Sequence, residues 1–306
     1  MNDILMKAAV LIFIIILGYL LKRAGFFEKE DYRLISKVVV NITLPAAVIN
    51  AFSNFDKDYK MLLLVLFGFI CTFIPLMTVY FLSSNDKKVN RIFKMFNSCG
   101  FNIGCFGLPF IQAFFGSAAI VPVCMFDTGN AVIVTGGSYA ITSTLLQTDT
   151  EEKTTIVSIV KKLLSSVPLD TYIIMFLFSF LNISIPEFVF DTAAVVSNAN
   201  VFLSMFMIGL MLELNIKKEH VGTIAYVIIT RLIFSTVFAV IIYHFGPFSY
   251  TIRKVVVLCL YTPIGTLSAI FTERCNGDGS LAGFTASLSI LISLVVMTVV
   301  AVILKV

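Results

Sequence analysis

The sequence predicts an all-α polytopic membrane protein of about ten transmembrane helices, arranged as two inverted five-helix repeats. Three observations predict it. Of 306 residues, 58% are hydrophobic and only 13% charged, where soluble domains carry about 25% charged residues. The apolar residues fall in runs matching the roughly 20 residues that a bilayer crossing takes. The loops between the runs are short, and their basic residues concentrate on alternate loops. These features exclude a water-soluble globule and leave no room for a sizeable soluble domain. The net charge of +4 is scattered over the loops and does not indicate a nucleic-acid partner; the partner surface is the lipid bilayer.

In chain order the spans run over about Ile4–Leu21, Leu34–Phe52, Met61–Leu82, Ile92–Phe115, Ala118–Leu146, Leu163–Leu181, Phe188–Leu212, Gly222–Phe245, Ile252–Phe271 and Leu281–Leu304. The first reads as a span and not a cleaved signal, because it lacks a basic n-region and a small-residue cleavage site. With no Trp among 306 residues, Tyr and the cationic residues are left to anchor the interfaces. Loops after odd-numbered spans hold 15 basic residues: Lys22, Arg23, Lys29, Arg33, Lys37, Lys87, Lys88, Arg91, Lys94, Lys153, Lys161, Lys162, Lys217, Lys218 and Arg274. The other loops and the C-terminus hold 5: Lys57, Lys60, Arg253, Lys254 and Lys305. Positive charge stays in the cytoplasm, so this bias predicts both termini outside, in a multi-pass protein of the cytoplasmic membrane. A polar linker at 147–162 divides the chain into 1–146 and 163–306. Five spans in each half force the halves into opposite orientation, the plan of many secondary transporters.

Spans 4 and 9, at matching places in the two halves, are both interrupted. Span 4 carries Asn102, Gly104, Gly107 and Pro109; span 9 carries Thr262, Pro263, Gly265 and Thr266. Non-helical backbone at membrane depth is tolerated only where protein or a cavity covers it. A matched pair of interrupted spans points to a binding site, and half-helix N-termini suit an anion. The alternative is a pair of simple Pro kinks. A further breaker, Thr43-Leu44-Pro45 in span 2, reads as a kink in a scaffold helix.

Charges inside spans are functional candidates by default. Asp127 in span 5, one helical turn from Asn130, is a candidate for proton or cation coupling, or a hydrogen-bonded structural acid. Arg231 in span 8 could pair with an acid, contact a carboxylate, or snorkel. Glu273 at the end of span 9 is either a gating group or a solvated helix end. Six cysteines without a CxxC pair read as buried thiols, and His220 and His244 lack ligand-type company, so no metal site is expected. No cofactor is expected beyond an H+ or Na+ coupling ion. No catalytic elbow, zinc motif or phosphate loop is present, which argues against an enzyme and against ATP hydrolysis by this chain.

Several of these segments resemble the auxin efflux carrier family of membrane transport proteins. Asn41–Ala46 (NITLPA) resembles its span 2 element. Asn97–Gly116 (NSCGFNIGCFGLPFIQAFFG) resembles its span 4 signature. Asp127 with Asn130, and Pro263 followed by Glu273-Arg274-Cys275-Asn276, match its spans 5 and 9. The resemblance covers nearly the whole chain. It implies crossed, Pro-broken spans 4 and 9 in a transport domain of spans 3–5 and 8–10. Spans 1, 2, 6 and 7 would form a scaffold and a homodimer surface. It also implies that Asn102, seven residues before Pro109, contacts a substrate carboxylate. One departure is Phe202, where many members carry a span 7 Pro. The expectation is therefore a secondary active carrier of a small organic anion, working by elevator-type alternating access. The rival readings are a channel, which would need a repeated filter-like segment, and an intramembrane enzyme, which would need a nucleophile–base or metal cluster.

Overall fold

The computed structural model describes residues 2–54, 58–148, 156–213 and 220–306. Lys57, Lys153, Lys217 and Lys218, four of the residues behind the expected orientation, lie outside the described residues, as does the middle of the 147–162 linker. The regular structure described is entirely helical. The helices are α1 (Asn2–Arg23), α2 (Tyr32–Ala51), α3 (Tyr59–Leu82), α4 (Lys88–Ser98), α5 (Ile103–Phe115) and α6 (Ser117–Leu145). They continue with α7 (Ile156–Leu163), α8 (Val167–Phe180), α9 (Glu187–Met211), α10 (Val221–Phe245), α11 (Tyr250–Leu260), α12 (Leu267–Arg274) and α13 (Gly279–Ile303).

Among the described residues, 7 helices are long and apolar enough to cross a membrane, or 8 when α4 and α5, bent by 42° at their junction, count as one span. The two remaining apolar runs of the sequence fold into shorter pieces. Span 6 is the 14-residue α8, because Pro168 in its first turn starts the helix and the extended Ser166 ends what precedes it. Span 9 is divided into α11 and α12. Part of the expected linker is itself helical, as α7. Span 7 is one uninterrupted helix of 25 residues, in keeping with Phe202 standing where a Pro would bend it.

Three spans carry a π turn that hydropathy does not reveal: Val39–Thr43 in α2, Ile103–Gly107 in α5 and Ile133–Gly137 in α6. The first two are each followed at once by Leu-Pro, Leu44-Pro45 and Leu108-Pro109. A proline lacks an N–H and crowds the carbonyl four residues back. A widened turn just before it relieves that crowding.

Helix packing places α9 against α1 and α2, and α8 against α2, on one side. On the other, α3 lies along α6, α10 along α11 and α12 along α13. Two pairs approach closely enough to require glycine. A Cβ on Gly209 would strike the carbonyl oxygen of Ile15, and one on Gly129 would strike that of Val65. At its C-terminus α9 is closed by Lys22, whose ammonium donates to the carbonyls of Leu210 and Leu212, an arrangement the negative helix end favours. A buried polar chain links the two sides: Thr43 Oγ1 donates to Asn200 Oδ1 at 3.0 Å, and Asn200 Nδ2 donates to Gln112 Oε1 at 3.2 Å.

Overpacking a close-packed interior costs about 1–3 kcal/mol, and at Gly129 the obstacle is rigid backbone. We expect Gly129→Leu to lower the melting temperature of the detergent-solubilised protein by several degrees. Gly222→Leu, where no atom stands within 4 Å of the new Cβ, should leave it unchanged.

Candidate functional site

Where α4 ends, Cys99 to Asn102 run out of helical conformation before α5 begins. Gly100 adopts φ +74°, a left-handed conformation open to glycine at little cost. In span 9 the stretch Tyr261–Thr266 is likewise non-helical between α11 and α12. Both interruptions strip backbone groups of their helical partners deep inside the protein, where an unpaired group costs about 1–3 kcal/mol. The two breaks meet and satisfy each other: the Asn102 N–H donates to the Pro263 carbonyl at 2.9 Å. Gly107 lets them approach, since a Cβ there would lie 2.7 Å from Thr262 Cγ2.

Side chains from neighbouring helices take up the rest. Arg231, buried on α10, donates through Nη1 to the carbonyls of Cys99 (3.1 Å) and Gly100 (2.8 Å), and through Nη2 to that of Thr262 (3.2 Å). Its guanidinium also sits 5.3 Å from the Phe101 ring centroid, a cation–π distance. One turn on, Ser235 donates to the Leu260 carbonyl. From α6, Asn130 binds the Phe101 backbone on both sides: its Oδ1 accepts from the N–H at 3.0 Å and its Nδ2 donates to the carbonyl at 2.9 Å. Ser289 on α13 accepts from the Ile264 N–H at 3.0 Å.

Beside this crossing lies a cavity of about 360 Å³, within the usual range for small-molecule sites. Val40, Leu44 and Val48 of α2 and Leu169 and Tyr172 of α8 form one wall; the breaks and α6 form the other. Its polar features come largely from residues expected at the sequence level, Asn130 among them. Asn102 lines it, and its side-chain amide makes no hydrogen bond among the described residues. Asp127 lines it and accepts from Asn130 Nδ2 at 2.8 Å. Gly104 leaves the first turn of α5 open to it, and Gly265 with the exposed Thr266 brings it the start of α12. Two helix N-termini, each equivalent to roughly half a positive charge, thus border one cavity.

The other expected residues sit elsewhere. Gly107, Pro109, Thr262 and Pro263 are buried in the crossing itself and do not line the cavity. Arg231 lies behind the breaks. Among the described residues it makes no salt bridge, and its guanidinium is buried against backbone carbonyls instead of snorkelling. Glu273 is exposed at the end of α12, away from the cavity. Among the described residues no cluster of His, Cys, Asp or Glu could hold a metal ion.

A model of the family described as membrane transport protein matches residues 3–301 of the chain. The chain belongs to this family. It is the family that holds the auxin efflux carriers, in agreement with the motifs of spans 2, 4, 5 and 9. A protein of Methanothermobacter thermautotrophicus (strain ATCC 29096 / DSM 1053 / JCM 10044 / NBRC 100330 / Delta H) described as "Uncharacterized transporter" is 24% identical over 288 residues, covering 92% of each chain. This member of the membrane transport protein family is thus a multi-pass membrane protein of a transporter family, with apolar helices throughout its length.

Several residues at the site escaped the sequence reading. Cys105, Cys124, Thr135 and Tyr172 line the cavity, and Ser235 and Ser289 hold the breaks. The serines carried a signal: a hydroxyl in the middle of an apolar span is a common way to pair backbone freed in a neighbouring helix. Ser289→Ala leaves the Ile264 N–H without its partner, so we expect a loss of about 1–3 kcal/mol of stability in thermal or denaturant unfolding. Ser280→Ala, at the exposed start of α13, should change nothing.

Proposed function

We propose that the protein is a gradient-driven carrier of a small organic anion, and that the anion binds in the cavity beside the crossed breaks of spans 4 and 9. One observation carries this reading: an amide without an internal partner, on Asn102, stands in the same cavity as two half-helix N-termini. Exposed N–H groups and a positive dipole end favour a carboxylate. The apolar walls from Val40, Leu44, Val48 and Leu169 would accommodate the carbon skeleton.

Asp127 gives the cycle a means of coupling. A carboxylate inside an anion site repels its own substrate, unless a proton or a sodium ion neutralises it. An anion entering with such a cation would draw on the gradient of that cation. The expected division of labour follows the packing. Spans 3–5 and 8–10 (α3–α6 and α10–α13) would move as one body against a scaffold of spans 1, 2, 6 and 7 (α1, α2, α8 and α9), an elevator-type exchange of access. In this reading the chain has ten spans in two inverted halves, lies in the cytoplasmic membrane with both termini outside, and works as a homodimer. It carries out transport and no covalent chemistry.

Uptake of radiolabelled malate, malonate, succinate and indole-3-acetate into proteoliposomes, with and without a pH or sodium gradient, tests this function. We expect saturable, gradient-dependent uptake of at least one acid. Asn102→Ala should raise its KM by about tenfold, the equivalent of one hydrogen bond to a charged group at about 1.4 kcal/mol. Uptake untouched by both Asn102→Ala and Pro109→Ala would remove the proposed site, and silence toward every acid by well-folded protein would remove the organic-anion assignment.

A further inference from the structure

Four polar units line up across the span 4 break. Arg231 Nη1 donates to the Gly100 carbonyl at 2.8 Å. That carbonyl belongs to the same peptide unit as the Phe101 N–H, which donates to Asn130 Oδ1 at 3.0 Å. The other end of that amide, Asn130 Nδ2, donates to Asp127 Oδ1 at 2.8 Å. From guanidinium to carboxylate every donor points the same way, so the peptide and amide dipoles add head to tail. Such chains polarise one another in a low-dielectric interior. Gly100 adopts φ +74°, and the peptide that follows it presents its carbonyl to α10 and its N–H to α6.

Neither end has a charged competitor among the described residues. Among the described residues, neither Asp127 nor Arg231 forms a direct salt bridge, and no other charged side chain lines the cavity. The titratable groups facing Asp127 are neutral types: Cys105 from α5, Cys124 from its own helix, Cys259 from α11 and Tyr172 from α8. Cys99, whose carbonyl Arg231 also holds, is the titratable group facing the guanidinium.

We propose that Asp127 and Arg231 form an indirect ion pair, relayed through Asn130 and the Gly100–Phe101 peptide, that couples the charge of the cavity carboxylate to the grip on the crossed breaks. Arg231 holds Cys99 and Gly100 of one break and Thr262 of the other. When Asp127 carries its charge, the aligned chain strengthens the bond between Arg231 and Gly100. When a cation or proton neutralises Asp127, that bond weakens and the two breaks loosen relative to each other. Asn130 and Arg231 are positioning residues in this scheme; neither needs to touch the substrate. The transport consequence rests on the carrier reading above, while the structural coupling stands apart from it.

The test is hydrogen–deuterium exchange of the full-length protein in nanodiscs, followed over peptides spanning 99–107 and 262–268. It compares wild type, Asp127→Asn, Arg231→Gln, the double variant, and Asp170→Asn as a control acid outside the relay. Asp127→Asn is the decisive variant because the new amide oxygen can still accept from Asn130 Nδ2. Only the charge is lost, and a purely structural hydrogen bond would not register it. We expect Asp127→Asn and Arg231→Gln each to speed exchange in both segments about tenfold. The double variant should be no faster than the faster single, since both remove one pair. Wherever wild type transports, the same variants should raise KM together and non-additively. Unchanged exchange in Asp127→Asn, or single effects that multiply in the double variant, would overturn the pair whatever uptake shows. Faster, non-additive exchange in a protein that carries none of the tested acids would establish the pair and leave only the carrier reading to fall.

Discussion

The architecture depends on one constraint: backbone released from helical pairing at membrane depth must find partners within the protein. Spans 4 and 9 each surrender a helical turn, and each lends the other part of what it lost, through the bond from the Asn102 N–H to the Pro263 carbonyl. Arg231, Asn130, Ser235 and Ser289 supply the remainder from three helices that are not themselves broken at that level. Burying an unpaired guanidinium costs several kcal/mol. Here each of three carbonyls offers a charge-assisted hydrogen bond, the stronger class. The charge and the interruptions are therefore two halves of one solution, since neither is tolerable without the other.

This explains which parts of the molecule were legible in the sequence. The interruptions of spans 4 and 9 were, because Pro and Gly announce lost hydrogen bonding wherever they occur in an apolar run, although the span 4 break falls at Cys99–Asn102, ahead of Pro109. Asn102 and Asp127 were visible as polar residues in such runs. The role of Arg231 was not. The sequence offered an acid, a carboxylate ligand or the membrane surface as its partner, whereas the partners are carbonyls, which every residue has and no letter marks. Asn130 was placed correctly beside Asp127, but its second engagement, with the backbone of Phe101, depends on a contact 29 residues away. Hydropathy also overstated the uniformity of the spans. It marks Leu163–Leu181 and Ile252–Phe271 as full crossings, while Pro168 shortens the first and the 261–266 stretch divides the second.

The cavity shows how a fold without a conventional catalytic or ligand motif can still present specific chemistry. Its walls come from both sides of the molecule: apolar residues of α2 and α8, and polar backbone from the crossed breaks. The buried chain Thr43–Asn200–Gln112 joins those same two sides elsewhere in the protein. The cavity is therefore shared between the two sides of the molecule. Any relative motion of the two walls would reshape the cavity directly, with no need for a separate relay from a distant site.

The π turns before Leu44-Pro45 and Leu108-Pro109 bear on how such chains can be compared and altered. Each wide turn holds one residue more than an α-helical turn in the same space, and one residue is about 100° around a helix. At 39–43, where helix lies on both sides, the half-helices are therefore out of phase. An alignment gap misplaced by a single position across 39–43 or 103–107 would assign every following residue to the wrong face, cavity to lipid and lipid to core. A one-residue deletion in the chain itself would make the same error in matter: the sequence beyond it would be intact letter by letter, yet rotated away from every surface it was shaped to meet.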